Sequence, residues 1–344
     1  MTEDRSAWSR PGVEQVTPDI YRIPLPLPND ALRAVNVYLV VEPDGPFLVD
    51  GGWALAAGEA ALRAGLKCIG YSLPDITEIL VTHIHRDHYT LAVAIRRLHG
   101  TPVSLGAGER FGLEYMMAHV DEPLPRPNQL ELLKRRGAGQ LASRLEQARS
   151  PTDPRNWQLP DRWLNDGETV TIGRRKLDVI ATPGHTRGHV VYRDARAGLL
   201  FAGDHVLPLI TPSIAVEAEQ RAPYPLRDYL DSLAVIRSLP DTRLLPAHGP
   251  VTPSAHTRVD ELLEHHRLRL DATLAAALAR APAAAFDVAS ALSWTRHERA
   301  LGELDPRHQM LAVSETAAHL DVLTLEDKLT RELSPAGVET YSPA

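Results

Sequence analysis

The chain is expected to be an α+β protein, and three observations carry that expectation. Short apolar runs alternate with helical stretches as far as Pro253. Several of these runs stop abruptly at a histidine or an aspartate. Beyond Pro253 the strand signal gives way to helix. A length of 344 residues fits about two domains at ~150 residues each. With 44% hydrophobic and 24% charged residues, the composition is that of an ordinary globular protein.

The elements follow in order. Val35–Val41 is a β-rich apolar run, and Pro43-Asp44-Gly45 is a turn signal. Phe47–Asp50 is a second short strand, stopped by Gly51-Gly52. Residues 53–67 have helical composition, 76–81 read as a strand and 90–99 as another helix. Residues 107–160 break this rhythm, with helical stretches at 109–119 and 129–149 among several prolines, as in an inserted helical lid or arm. Strands resume at 168–173, 176–181, 189–193 and 199–203, then a helix at 226–239 and a last apolar run, Arg243-Leu244-Leu245-Pro246. Ser254 is a suitable N-cap for a long helix to Ala281, and the remainder reads as helices with little strand. The expected division is a domain over 1–253, carrying the insertion, and a helical C-terminal domain over 254–344.

Composition excludes several classes. The net charge of -7 and a pI of 6.1 argue against a broad nucleic-acid surface. A single cysteine, Cys68, permits no intrachain disulfide and no cysteine-based zinc knuckle. No apolar run approaches the ~20 residues of a membrane helix. The polar start, Met1–Arg10, lacks a signal-peptide core, so a cytoplasmic, non-membrane protein is expected. Scarce lysine with abundant alanine and proline suggests a bacterial gene.

The strongest chemical signal is His83-Ile84-His85-Arg86-Asp87-His88, directly after the apolar Ile79–Val81. Four further strand-like segments end in a ligand-type residue: Phe47–Val49 at Asp50, Leu177–Ala181 leading to His185, Leu199–Gly203 at Asp204, and Leu244–Ala247 at His248. Strand ends of one sheet can converge on one point, and imidazoles and carboxylates gathered there suit zinc, iron or manganese.

These motifs resemble those of the metallo-β-lactamase superfamily of hydrolases: His83-x-His85-x-Asp87-His88, His185 in Pro-Gly-His-Thr, Asp204 in Ala-Gly-Asp and His248 in Pro-Ala-His-Gly, over residues 18–252. The resemblance implies an αββα sandwich with a binuclear metal site, two Zn2+ with iron or manganese as alternatives. It implies that His83, His85 and His185 hold the first metal, that Asp87, His88 and His248 hold the second, and that Asp204 bridges them. Asp50 would orient a ligand from outside. The implied activity is hydrolysis by a metal-bridging hydroxide steered by Asp87, on a small acyl substrate, a thioester or an ester/lactone. Thr90 stands where many members have glycine, and His205 stands where thioesterase-type members carry a small or hydroxylated residue. His205 and Tyr89 are candidates for substrate contact or proton transfer, with a structural role the alternative for each.

The C-terminal segment resembles the small winged-helix-like tail of the lactamase-β-like, glyoxalase II-like branch, through Ala291–Trp294 and Met310–Leu320. Some members of that branch act on RNA. Here residues 281–344 hold ten acidic groups against five basic, so phosphates would be repelled and a packing, pocket-completing or homodimer role is preferred. Three other functions stay open: an endoribonuclease or phosphodiesterase on the same metals, a mononuclear iron dioxygenase for persulfides using His83, His185 and Asp204, and a metal-bound scaffold without turnover. Elsewhere, His189 could hydrogen-bond near the site or pack. His265 and His266 are expected to be solvated, Cys68 to be a small apolar filler, and Arg174-Arg175-Lys176 to be a solvated turn.

Overall fold

A computed structural model describes residues 6–28, 32–148, 153–214 and 224–344. Among the described residues, no helix is long and apolar enough to cross a membrane. The chain divides into two compact units, one of Met1–His119, Asp153–Pro212 and Ser232–Val259, the other of Val120–Thr152, Ser213–Asp231 and Asp260–Ala344.

The first unit is built on two sheets. One has seven strands in sequence order: β1 (Glu14–Thr17), β2 (Ile20–Pro26), β3 (Ala34–Val40), β4 (Phe47–Val49), β5 (Ile79–Val81), β6 (Val103–Gly106) and β7 (Arg162–Leu164). The other has five in the order β12 (Arg243–Pro246), β11 (Leu199–Gly203), β10 (Val190–Asp194), β9 (Arg175–Ala181) and β8 (Thr169–Ile172). Alternating residues of the two sheets meet in a common core. Tyr38, Val40, Phe47, Val49 and Leu80 from the first sheet share it with Val179, Val190, Tyr192, Phe201 and Leu245 from the second. Helix α1 (Ala56–Ile69) packs on β2, and α2 (Arg86–His99) on β5 and β6. α3 (Arg110–Ala118) follows β6. The architecture is the αββα sandwich expected.

Strand direction positions the site. β4 and β5 are parallel neighbours, as are β11 and β12. β9 and β11 both run antiparallel to β10 between them, so they too end at the same edge. The five strand ends singled out above are the C-terminal ends of β4, β5, β9, β11 and β12.

In the second unit, α4 (Pro127–Arg135) and α5 (Gly139–Gln147) share a core with α8 (Ala285–Ser290), α9 (Pro306–Leu325) and a terminal hairpin of β13 (Leu329–Leu333) and β14 (Glu339–Pro343). Leu133, Leu141 and Leu145 meet Val288, Val313, Leu320, Leu329 and Tyr341. The segment 107–160 is thus shared: 107–119 and 153–160 belong to the first unit and 120–152 to the second. The helix expected over 129–149 is two helices, broken at Gly137, whose φ is 81° and where a Cβ would meet Ala284 at 2.7 Å; residue 149 lies outside the described residues. α6 (Pro225–Ser238) and α7 (Ala255–Leu278) lie near their expected positions, and Ser254 Oγ accepts the Thr257 N–H at 3.0 Å. The hairpin corrects the expectation of little strand at the C-terminus. Only Leu329 and Tyr341 of its strands are buried, and Leu333 is exposed, so its apolar pattern is short.

Three smaller expectations are corrected. Cys68 is exposed, not a filler. Arg175 is no solvated turn residue: its side chain is 9% exposed and pairs with Glu42 at 3.2 Å and with Asp19 and Asp194. His266 is buried with His319, their Nδ1 and Nε2 3.2 Å apart, whereas His265 is exposed.

Candidate metal centre

Each of the seven expected ligand residues lies at or just past a strand end. His83 follows β5 by two residues. His85 caps α2, and Asp87 and His88 occupy its first turn, so the helix begins four residues earlier than its composition suggested. The positive end of the helix dipole favours the Asp87 carboxylate there. His185 follows β9 through Thr182-Pro183-Gly184, Asp204 follows β11 directly, and His248 follows β12 by two residues.

The structure brings the seven together in three groups, each with ligand atoms within 4.8 Å of one another: His83, His85 and His185; Asp87, His88 and His248; and His83, His88 and Asp204. Asp204 lies between the sets. Its Oδ2 is 3.4 Å from His185 Nε2, and its Oδ1 is 3.3 Å from His248 Nε2 and 3.6 Å from His88 Nε2. His85 Nδ1 is 2.9 Å from His185 Nε2.

Second-partner hydrogen bonds decide which nitrogens are free. His248 Nδ1 donates to Ala34 O at 2.7 Å, and His88 Nδ1 donates to Asp50 Oδ2 at 3.0 Å. His83 Nδ1 is 3.0 Å from Thr82 Oγ1, whose own hydrogen goes to Asp50 Oδ1 at 3.0 Å, so this imidazole also donates from Nδ1. In its neutral form each of the three rings therefore turns an Nε2 lone pair inward, free to meet a metal. Those three Nε2 atoms and Asp204 Oδ1 are buried without a hydrogen bond. Bare lone pairs in a buried pocket are costly unless an electrophile occupies it, and imidazole nitrogens with carboxylate oxygens are the donor set of zinc and its neighbours. The residues fit such an ion.

Charge tells the same story. Burial, with the neighbouring imidazoles, holds His83 well below its ordinary value, and burial, with His185, holds His85 down to about 3. Both are neutral, as ligation requires. Around the second group, burial lowers His88, but Asp50, Asp204 and Asp87 outweigh it and push the ring up to about 9. Burial raises Asp87 and Asp204, but the adjacent imidazoles outweigh it and hold both carboxyls below the usual range. Three carboxylates in one pocket thus call for positive charge, and protons on His88 and His248 are what the protein alone can offer.

Asp50 sits behind the candidate ligand residues His83 and His88. It accepts from Thr82 N–H at 2.8 Å as well as from His88. Tyr89 and His205 do not join the seven. The Tyr89 hydroxyl donates to Gln158 O at 2.6 Å, and burial raises its phenol. His205 is buried and driven down to about 3 by burial, so its ring is neutral. Thr90 has a structural part. It is buried, donates to Arg86 O and accepts Ala54 N–H at 2.9 Å, tying the loop after Asp50 to α2. Two further residues serve the ligands. His189 Nε2 accepts the Asp204 N–H at 3.1 Å, with Nδ1 on Thr182 Oγ1 at 2.8 Å. Glu109, fully buried, accepts from the Thr186 hydroxyl beside His185 and from Ile84 N–H, between His83 and His85, at 3.4 Å. Glu109 carried no signal in the sequence, because its partners lie 25 and 77 residues away.

A two-sheet sandwich with a histidine–carboxylate centre along one sheet edge defines a metal-dependent enzyme scaffold of the αββα class. The profile of the metallo-beta-lactamase superfamily matches residues 30–248, and the chain belongs to that superfamily. The probable metallo-hydrolase YqjP of Bacillus subtilis is 26% identical over 324 residues, covering 91% of this chain and 95% of that one. A hydroxyacylglutathione hydrolase of Chelativorans is 27% identical over 154 residues, 45% of this chain and 42% of the relative. Among solved structures, a metallo-beta-lactamase family protein from Thermus thermophilus is 28% identical, with a TM-score of 0.75 over 95% of this chain and 99% of that one. A beta-lactamase domain protein from Burkholderia ambifaria is also 28% identical, with a TM-score of 0.78 over 96% and 93%.

Proposed function

We propose that this chain is a binuclear, zinc-dependent hydrolase of a small acyl substrate, a thioester or an ester/lactone. The observation that carries the reading is the set of inward, hydrogen-bond-free Nε2 atoms on His83, His88 and His248 around Asp204. In this reading His83, His85 and His185 hold one ion, Asp87, His88 and His248 hold the other, and Asp204 serves both. When bound, such a pair supplies Lewis acidity and makes a water nucleophilic near neutral pH.

The protein's own part is orientation and charge. The Asp87 side chain is 14% exposed, against 8% for Asp204 and 4% for Asp50, so Asp87 is the carboxylate open to accept a hydrogen bond from the attacking water. Of the other six candidate ligand residues all but the partly exposed His85 are buried, which keeps bulk water from them. Neutral His205 and the engaged Tyr89 hydroxyl make solvent the proton source for the leaving group. The acyl class draws support from the hydroxyacylglutathione hydrolase likeness, since an acylglutathione is a thioester, and that likeness spans less than half of either chain.

The test is elemental analysis of protein purified without added metal, followed by a panel of thioester, lactone and phosphodiester substrates. About two zinc ions per chain with thioester or lactone turnover is the expected result. About one iron per chain with oxygen uptake would replace this reading with the oxygenase, and phosphodiester turnover alone would replace the acyl class. His85→Ala and Asp204→Asn should lose metal and activity together; full activity in either variant overturns the site.

A further inference from the structure

The loop that carries His248 is held by a relay of side chains that takes no part in ligation. β4 is only three residues long and pairs with Tyr38–Val40 of β3. The same edge of β3 therefore continues past β4 at Asn36 and Ala34, with backbone groups free for another partner. The His248 loop takes that place. Asn36 N–H donates to Ala247 O at 2.7 Å, and Ala34 O accepts His248 Nδ1 at 2.7 Å. The Tyr38 hydroxyl donates to Pro246 O at 2.8 Å.

The Asn36 side chain, fully buried, completes the clamp. Its Nδ2 donates to Pro246 O at 2.9 Å and to Gly249 O at 2.8 Å, the carbonyls on either side of Ala247-His248. Its Oδ1 accepts from Arg22 Nη1 at 2.8 Å. The orientation of this amide is not arbitrary: guanidinium only donates and carbonyls only accept, so neither end can be exchanged. Arg22, itself 5% exposed, is fixed by Glu14 Oε2 at 2.9 Å and by Trp8 O at 2.8 Å. The Asn36 donors, Nδ2 and the backbone N–H, all go to this one loop, while Oδ1 is held by the residue that fixes the amide's orientation.

We infer that Asn36, locked by Arg22 and Glu14, is the positioning residue for His248 and so sets the occupancy of the second metal position. The inference rests on the binuclear reading for its consequence but not for its geometry. Asn36→Asp keeps the size and the Arg22 contact, but turns a carboxylate oxygen toward two carbonyls that need donors. Removing the tie should free His248 while leaving His83, His85 and His185 as they are. A general packing defect would instead weaken both positions.

The experiment compares wild type, Asn36→Asp and His248→Ala in two readouts. The first is zinc per chain after dialysis against a weak chelator, with the visible spectrum of the cobalt-loaded protein to distinguish the two positions. Asn36→Asp is expected to resemble His248→Ala, falling from about two ions to about one, with the first-position spectrum retained. The second is amide exchange of the 244–252 segment in metal-free protein, expected to quicken by about tenfold or more in Asn36→Asp. Wild-type exchange and wild-type zinc affinity in Asn36→Asp would overturn the inference. If wild type itself holds at most one ion, the binuclear reading fails, and the exchange readout alone decides whether Asn36 clamps the loop. Should Asn36→Asp not fold, Arg22→Lys carries the test: it keeps the charge but loses the guanidinium fork. It should move both readouts in the same direction, and no movement overturns the relay.

Discussion

His88 Nδ1 donates to Asp50 Oδ2 across 3.0 Å, and Asp50 makes this bond from a left-handed backbone, with φ at 62°. A non-glycine residue there costs on the order of 1 kcal/mol, and it recurs where a side chain must be aimed. The turn sends the Asp50 carboxylate under β5, where it takes Thr82 N–H, Thr82 Oγ1 and the His88 ring together. Asparagine tolerates the same backbone but carries no charge. Asp50→Asn should therefore fold and lose ~10–100-fold in zinc affinity, read by chelator competition. Unchanged affinity would mean that His88 needs no carboxylate behind it.

Gly203 connects β11 to Asp204 with φ at 50°, and a Cβ there would lie 2.6 Å from His189 Nε2 and 2.7 Å from Thr82 Oγ1. Both neighbours are buried and engaged, so neither can move cheaply. Gly203→Ala should cost about 2 kcal/mol or more and displace Asp204 with it. The expected result is a lowered Tm together with reduced metal binding. Gly198, also at positive φ but with nothing within 4 Å, is the control; alanine there should leave metal binding unchanged.

The residues that the fold gathers into the candidate metal centre stand out in the sequence because short local features carry them. A strand end and a tight turn place each of His83, His185, Asp204 and His248, and H-x-H-x-D-H fits into one strand–helix junction. The residues that hold those ligands were not legible. Asn36 meets Pro246 across 210 positions, and Glu109 meets Thr186 across 77, so their roles exist only once the sheets have paired. β1 and β2 escaped notice because Pro18, Pro24 and Pro26 interrupt their apolar pattern, yet Ile20–Pro26 pairs with β3 along its whole length. The first unit's fold was predictable from strand ends. The sharing of 120–152 with the C-terminal helices was not, because amphipathic helices such as α4 and α5 do not encode which partner they cover.

Glu109 ties both loops of the His83, His85 and His185 group, through Ile84 N–H on one side and the Thr186 hydroxyl on the other. Thr186→Val removes one tie without changing volume much, while Glu109→Gln keeps the shape and removes the charge. Each should weaken the first metal position by ~10-fold or more and spare the second, the mirror image of Asn36→Asp. Titrating cobalt into metal-free protein and following the order of site filling checks this. Equal weakening of both positions would reduce Glu109 to general packing.

The second unit should carry a pH dependence of its own, independent of metal. His266 and His319 are buried side by side, and His319 Nδ1 donates to Glu315 O at 2.7 Å. Burial, with His319 next in effect, drives His266 down to about 2; burial drives His319 down to about 4. The charged neighbours are Arg269, Glu315 and His265. Both rings fold neutral, whereas in the unfolded chain they protonate near pH 6.5. Their contribution is therefore fully present above about pH 6.5 and is lost as pH falls, through about 4 for His319 and on toward about 2 for His266, because the unfolded state binds protons that the folded state refuses. The loss for His319 alone is on the order of 2–3 kcal/mol by pH 4. Urea midpoints of the metal-free protein between pH 7.5 and 4 should show it, and His319→Gln should flatten the slope below pH 6.5. An unchanged slope in that variant would assign the acid sensitivity to groups other than this pair.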